Sequence, residues 1–219
     1  MQANKMLDYI KEVLENRPTG WLSITTHRLD IYNEKLAKTE FLDQFENLFE
    51  ENITSHDSLN ELPTAYDYIR LGHPLSCILE WGVAKLNNLN ANNVISFSSQ
   101  TIPILAILRK NLLENKKTQI TYQGELPTCF DAESFRTVYG YQFELKQIDN
   151  INDLTAFDGS TIFITAQDKI GAVELSNHVD FFISLHTQLG SILVINGEQN
   201  ETYVSDIQHV RRRETIAMT

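Results

Sequence analysis

The chain has 219 residues with a formal net charge of −11, 42% apolar and 21% charged residues, an ordinary globular composition with room for a sizeable core. The acidic excess argues against a nucleic-acid partner or an anionic-membrane surface. The run Arg211-Arg212-Arg213 near the end reads as solvated.

The chain opens with a helix from Ala3 to about Asn16, whose apolar face is Met6, Leu7, Ile10, Val13 and Leu14. Arg17-Pro18-Thr19-Gly20 breaks it. Trp21 to Thr26 reads as a short extended piece, followed by a helix from about Arg28 to Asn52. Leu29, Tyr32, Leu36, Phe41, Phe45, Leu48 and Phe49 form its apolar stripe, read as core because a helix needs such a face to pack. Polar residues from Ile53 to Thr64 read as a linker, so residues 1–64 are expected to form a helical arm and 65–219 an α/β domain. In that domain the expected order is a helix at Leu75–Leu89, a strand at Val94–Phe97, a helix at Thr101–Glu114 and a strand at Thr118–Tyr122. A helix capped by Asp131 and running to Tyr139 follows, then strands at Phe143–Ile148 and Thr161–Thr165, with a short helix between them. Last come a helix at Glu174–Leu189 ended by Gly190 and a strand at Ser191–Ile195. Alternating strands and helices predict a largely parallel sheet covered on both faces.

The two cysteines, Cys77 and Cys129, form no disulfide framework or zinc spacing; Cys77 reads as a packed core thiol in a reducing cytoplasm. The start Met1-Gln2-Ala3-Asn4 lacks a signal-peptide run and no apolar stretch is long enough to span a membrane, so a soluble, cytoplasmic protein is expected. His178 and His186 fall two turns apart on the last expected helix, wide for a zinc pair, and no metal site is expected. His73, beside Pro74, reads as a turn histidine.

Several short motifs occur in one order. Tyr68-Ile69-Arg70-Leu71-Gly72-His73-Pro74 comes first, then Leu79-Glu80, then Phe97-Ser98-Ser99-Gln100-Thr101, where a strand runs into a helix. Tyr122-Gln123-Gly124-Glu125 and Gly190-Ser191-Ile192-Leu193-Val194-Ile195-Asn196-Gly197 follow. A strand-to-helix turn is a natural phosphate site, since free N–H groups and the helix dipole converge on it. In order and spacing these motifs resemble those of the pyridoxal-phosphate enzymes of cysteine and methionine metabolism, the cystathionine synthase and lyase group, over residues 68–203.

The resemblance implies a three-layer α/β fold like the large domain of fold-type I pyridoxal-phosphate transferases, truncated and preceded by the helical arm. It implies a cofactor site made of Tyr68 and Arg70 (which serve a neighbouring subunit in the family), Ser99, Gln100 and Thr101 at the phosphate, Tyr122 on the ring, and Asn196 at the pyridine nitrogen. The departures fall on the chemistry. Gln100 replaces a glycine that lets the backbone approach the phosphate. Asn196 replaces an aspartate whose charge makes the ring an electron sink. Ala166-Gln167-Asp168-Lys169 matches nothing in the family's substrate segment, and no lysine here stands where the family places its Schiff-base lysine beyond the aspartate strand. The expectation is a catalytically inactive binding or assembly protein, a homodimer or a hetero-oligomer with a related chain. The alternative is a pyridoxal-phosphate protein of sulfur amino-acid metabolism that uses a non-standard or partner-supplied site. In the family the strand before the phosphate loop sits at a sheet edge, beside a strand from beyond the lysine. Val94–Phe97 must therefore slide into a smaller sheet or pair with another element, and a dimer that pairs it is expected.

Overall fold

A computed structural model describes residues 2–22, 34–63, 73–173 and 175–196, and these fall into two units, Met1–Ala91 and Asn92–Thr219. The first contains helices α1 (Gln2–Asn16), α2 (Glu34–Glu50), α3 (His56–Asn60) and α4 (Pro74–Leu86), with a 3-10 turn at Thr19–Leu22. An aromatic cluster joins them. The Tyr9 ring lies 5.7 Å from Phe45 and 5.1 Å from Phe49, and Trp81 packs edge-on against both. The Tyr9 hydroxyl donates to the Ile53 carbonyl at 2.9 Å, and Trp81 Nε1 donates to the Glu46 carboxylate at 2.5 Å, so both aromatic polar ends are satisfied.

The aromatic stripe of α2 is core, with Phe41, Phe45 and Phe49 buried. Three expectations change in this unit. The buried face of α1 is Met6, Tyr9 and Val13, while Leu7 and Leu14 are exposed, because the stripe turns to bring Tyr9 into the cluster. Trp21 is not extended; it sits in the 3-10 turn, buried edge-on against Phe41. The expected linker holds α3, whose Leu59 is fully buried, and Leu62 beyond it joins the same core. Cys77, Ile78 and Trp81 of α4 belong to this core, which carries the unit on to Ala91. Residues 23–33 and 64–72, including the start of the expected long helix and Thr64, lie outside the described residues.

The second unit contains β1 (Val94–Phe97), α5 (Ile102–Leu113), β2 (Thr118–Gln123), α6 (Ala132–Thr137), β3 (Glu144–Gln147), β4 (Ser160–Ala166), β5 (Phe181–His186) and β6 (Gly190–Ile195). The protein is thus mixed α/β, with one six-stranded sheet in the order β1-β6-β5-β4-β2-β3. Neighbours among β3, β2, β4 and β5 are parallel, while β6 is antiparallel to both β5 and β1. On one face Ile95, Ile120, Ile162, Ile164, Ile183 and Leu193 pack with Ile104 and Ile107 of α5 and Phe135 of α6. Thr121, Phe163, Phe182 and Ile192, on the other face, are buried too.

The expected helix Glu174–Leu189 is replaced by β5 and a tight turn at residues 187–189. Every β5 position is buried, so its sequence carries no alternation to mark it as a strand. The hairpin it forms with β6 makes the sheet mixed. It also supplies the partner for β1, in the register Val94↔Val194 to Phe97↔Ser191. The strand has joined a smaller sheet within its own chain, and its pairing requires no second copy.

Helices α2, α4 and α5 all end on asparagines with left-handed backbones, Asn52, Asn88 and Asn115. Each is followed by an N–H donating five residues back, Ile53 to Leu48, Leu89 to Ala84 and Lys116 to Asn111. Asparagine thus fills the C-terminal position where glycine is commonest. No helix among the described residues is long and apolar enough to cross a membrane.

Candidate functional site

Strands β1, β5, β4, β2 and β3 run in one direction, so their C-terminal ends share an edge, the edge where α/β sheets usually receive ligands. The turn from β1 into α5 lies there. Its geometry follows from Ser99, whose Oγ accepts the N–H groups of Thr101 at 3.2 Å and Ile102 at 3.3 Å. Pro103 occupies the next position and has no N–H. The amides that would face an anion are therefore held by the turn's own hydroxyl.

The β5–β6 hairpin closes the turn from the other side. Ser191 Oγ donates to the Ser99 carbonyl at 2.6 Å, and Gln100 Nε2 donates to the His186 carbonyl at 3.3 Å. Gly190, at φ +90°, lies so close to Ser98 that a Cβ there would sit 2.5 Å from its carbonyl carbon. Gln100 thus ties the turn to β5 where a glycine would leave room for a ligand.

The buried His186 ring lies 3.1 Å from Ser184 Oγ. Burial lowers its pKa, with a hydrogen bond to the Gln167 backbone working the other way. His73 caps α4, its Nδ1 accepting the Leu75 N–H at 3.2 Å, and burial lowers its pKa as well. Both pKa values lie below the unfolded value of about 6.5. The unfolded chain therefore takes up these protons first as pH falls, and the stability present above about pH 6.5 is lost on the way down through the folded pKa values. Thermal melts should show a midpoint that falls between pH 7 and 5.5, with a shallower fall in His186→Asn. A midpoint that rises on acidification over that range would contradict this.

The remaining expected site residues are not gathered at this turn. Tyr122 lies near the same edge on β2, half-buried against the α5 face, but β2 stands four places from β1 in the sheet, roughly 19 Å at the usual strand spacing. Asn196 follows β6, which runs the opposite way, so it emerges at the far edge. There its Nδ2 donates to the Ser176 and Val179 carbonyls at 3.0 and 2.8 Å, pinning the loop before β5. Tyr68 and Arg70 lie outside the described residues. His178 stands in a turn and His186 in β5, so the two do not share a helix. No group of three or more His, Cys, Asp or Glu side chains among the described residues could hold a metal. The sequence reading missed the part played by His186, Gly190 and Ser191 in closing the turn. Gly190 was the available signal, and it belongs to a hairpin instead of a helix end.

No protein-family model matches the chain, and no curated protein matches it. Among solved structures it is similar to metB from Corynebacterium glutamicum, with 15% identity over 69% of this chain and 49% of that one and a TM-score of 0.40. It is also similar to a putative O-acetylhomoserine (thiol)-lyase (metY) from Campylobacter jejuni subsp. jejuni NCTC 11168, whose structure carries N'-pyridoxyl-lysine-5'-monophosphate. There the identity is 14% over 82% of this chain and 50% of that one, with a TM-score of 0.36. The chain spans about half the length of each.

Proposed function

We propose that this chain is a non-catalytic relative of the pyridoxal-phosphate enzymes of cysteine and methionine metabolism, that it acts as a binding or assembly protein, and that it does not hold the cofactor at its β1–α5 turn. The observation that carries the reading is the occupied turn. A phosphate entering it would have to displace Ser99 Oγ from two N–H groups and Gln100 from the His186 carbonyl. Two further features support it. Asn196 is neutral and stands at the opposite sheet edge, where it cannot meet a ring anchored at Ser99. Tyr122 is too far across the sheet to stack on that ring. The described residues do not fit the cofactor, so no catalytic step is routed through it. In this reading the protein is cytoplasmic and assembles with a second copy or a related chain.

Titration with pyridoxal phosphate tests the reading. The near-ultraviolet absorbance should be that of free cofactor plus slow, unsaturable adducts on surface lysines, and cystathionine or homoserine esters should release no keto acid above a heat-killed control. A saturable one-to-one complex that protects the amides of Thr101 and Ile102 from exchange would overturn it.

A further inference from the structure

Strands β1 and β3 form the two edges of the sheet. Val94, Ile95 and Phe97 of β1 are buried, but every residue of β3, Glu144 to Gln147, is exposed. Among the described residues β3 pairs only with β2. The Ile148 N–H donates to the Tyr122 carbonyl of β2 at 3.0 Å, and successive residues of a strand turn their N–H and C=O to opposite sides. Glu144 and Lys146 therefore bond to β2, while Phe143, Leu145 and Gln147 turn their main-chain groups outward. The Arg136 guanidinium agrees with this sense, donating to the outward Phe143 carbonyl at 3.1 Å. Leu145 and Gln147 thus present the kind of edge that receives another strand. Apolar surface accompanies it. Leu145 is 37% exposed, and Val138 and Tyr139, in the turn after α6, are 76% and 47% exposed.

The sequence of β3 selects what the edge takes. Glu144 and Lys146, two residues apart, share one face of the strand. Antiparallel pairing of two copies about Leu145 sets Glu144 opposite the partner's Lys146, and two-fold symmetry repeats the match. Parallel pairing in register, or antiparallel pairing centred on Glu144 or on Lys146, sets like charges opposite each other, which is destabilising. A lone edge lysine repels a second strand. Here Glu144 turns that repulsion into the self-complementary pattern a two-fold interface needs.

We infer that β3 is a homodimer interface, at which two copies pair antiparallel about Leu145 and join their sheets. Leu145 and its symmetry mate exchange both main-chain hydrogen bonds. Gln147 bonds to the partner's Phe143, whose carbonyl has a second lone pair beside the Arg136 bond. The charge pairs lie on the face away from α5, because Lys146 stands opposite Thr121. The strand is short, so the dimer is weak and depends on concentration. The inference rests on the assembly reading above and commits it to a second copy of this chain.

Sedimentation equilibrium on the full chain, with residue-resolved amide exchange at low and high protein concentration, tests it. A monomer–dimer equilibrium is expected. Leu145 and Gln147 should gain protection as concentration rises, while Glu144 and Lys146, already bonded to β2, should not change. Lys146→Glu and Glu144→Lys each set like charges opposite each other and should weaken dimerisation about tenfold. Both residues are exposed, so both variants should fold. Mixed together, the two variants should pair with each other as tightly as the parent pairs with itself. A chain that stays monomeric, or protection of Leu145 and Gln147 that is independent of concentration, would overturn the proposal. A dimer whose affinity neither variant changes would also overturn it, while leaving the assembly reading standing.

Discussion

Gly190→Ala should destabilise the sheet unit by about 2 to 6 kcal/mol, combining about 1–3 for a non-glycine residue forced to positive φ with about 1–3 for overpacking. Gly190 is at φ +90°, and an added Cβ would meet Phe97 O, Ser98 C and Ser98 O. All three are backbone atoms, which cannot swing aside as a side-chain tip does. The strain falls on the pairing of Phe97 with Ser191 and on the Ser191-to-Ser99 hydrogen bond, which together hold the β1–α5 turn. Amide exchange along Val94–Phe97 should therefore speed up more than exchange along β2. Gly140 is the control. It also has positive φ, but a Cβ there meets nothing within 4 Å, so Gly140→Ala should show the backbone cost alone, about 1–3 kcal/mol. Equal losses for the two variants in urea unfolding would mean that Gly190 does not wedge the hairpin against the turn.

The same glycine marks how far the sequence could be read. Local chemistry placed β1 residue for residue, and Asp131 caps α6 as its side chain and position suggested. The run Glu174 to Leu189 reads as a helix because a strand buried on both faces shows the same continuous apolar character as a buried helix. That error moved Asn196, since an antiparallel β6 carries its end to the far edge, away from Ser99. Closure of the candidate site could not be read either. Ser98-Ser99-Gln100 reads as a phosphate turn whether the Ser99 hydroxyl points to a ligand or back to its own amides, and only the long-range contact with Ser191 and His186 separates the two. In the helical unit the stripe of α2 was legible because three aromatics recur at four-residue spacing. Leu59 was not, since one buried leucine in a polar stretch leaves no period.

Phe45→Ala should cost about 3–5 kcal/mol, the range for deleting a buried phenylalanine. The ring is fully buried, 5.9 Å from Phe41, 5.7 Å from Tyr9 and 5.2 Å from Trp81, so its removal takes a shared partner from three helices at once. These neighbours are large and rigid, and Tyr9 and Trp81 are further fixed by hydrogen bonds to Ile53 and Glu46, so the cavity cannot readily collapse. Both tryptophans of the chain, Trp21 and Trp81, lie in this unit, so tryptophan fluorescence reports its unfolding without interference from the sheet unit. Leu7→Ala is the matched comparison. The sequence alone puts Leu7 on a buried face, but it is exposed, so its loss should stay within about 0.5 kcal/mol. If Leu7→Ala costs as much as Phe45→Ala, α1 packs on the face read from its sequence, and the cluster built around Tyr9 and Phe45 is wrong.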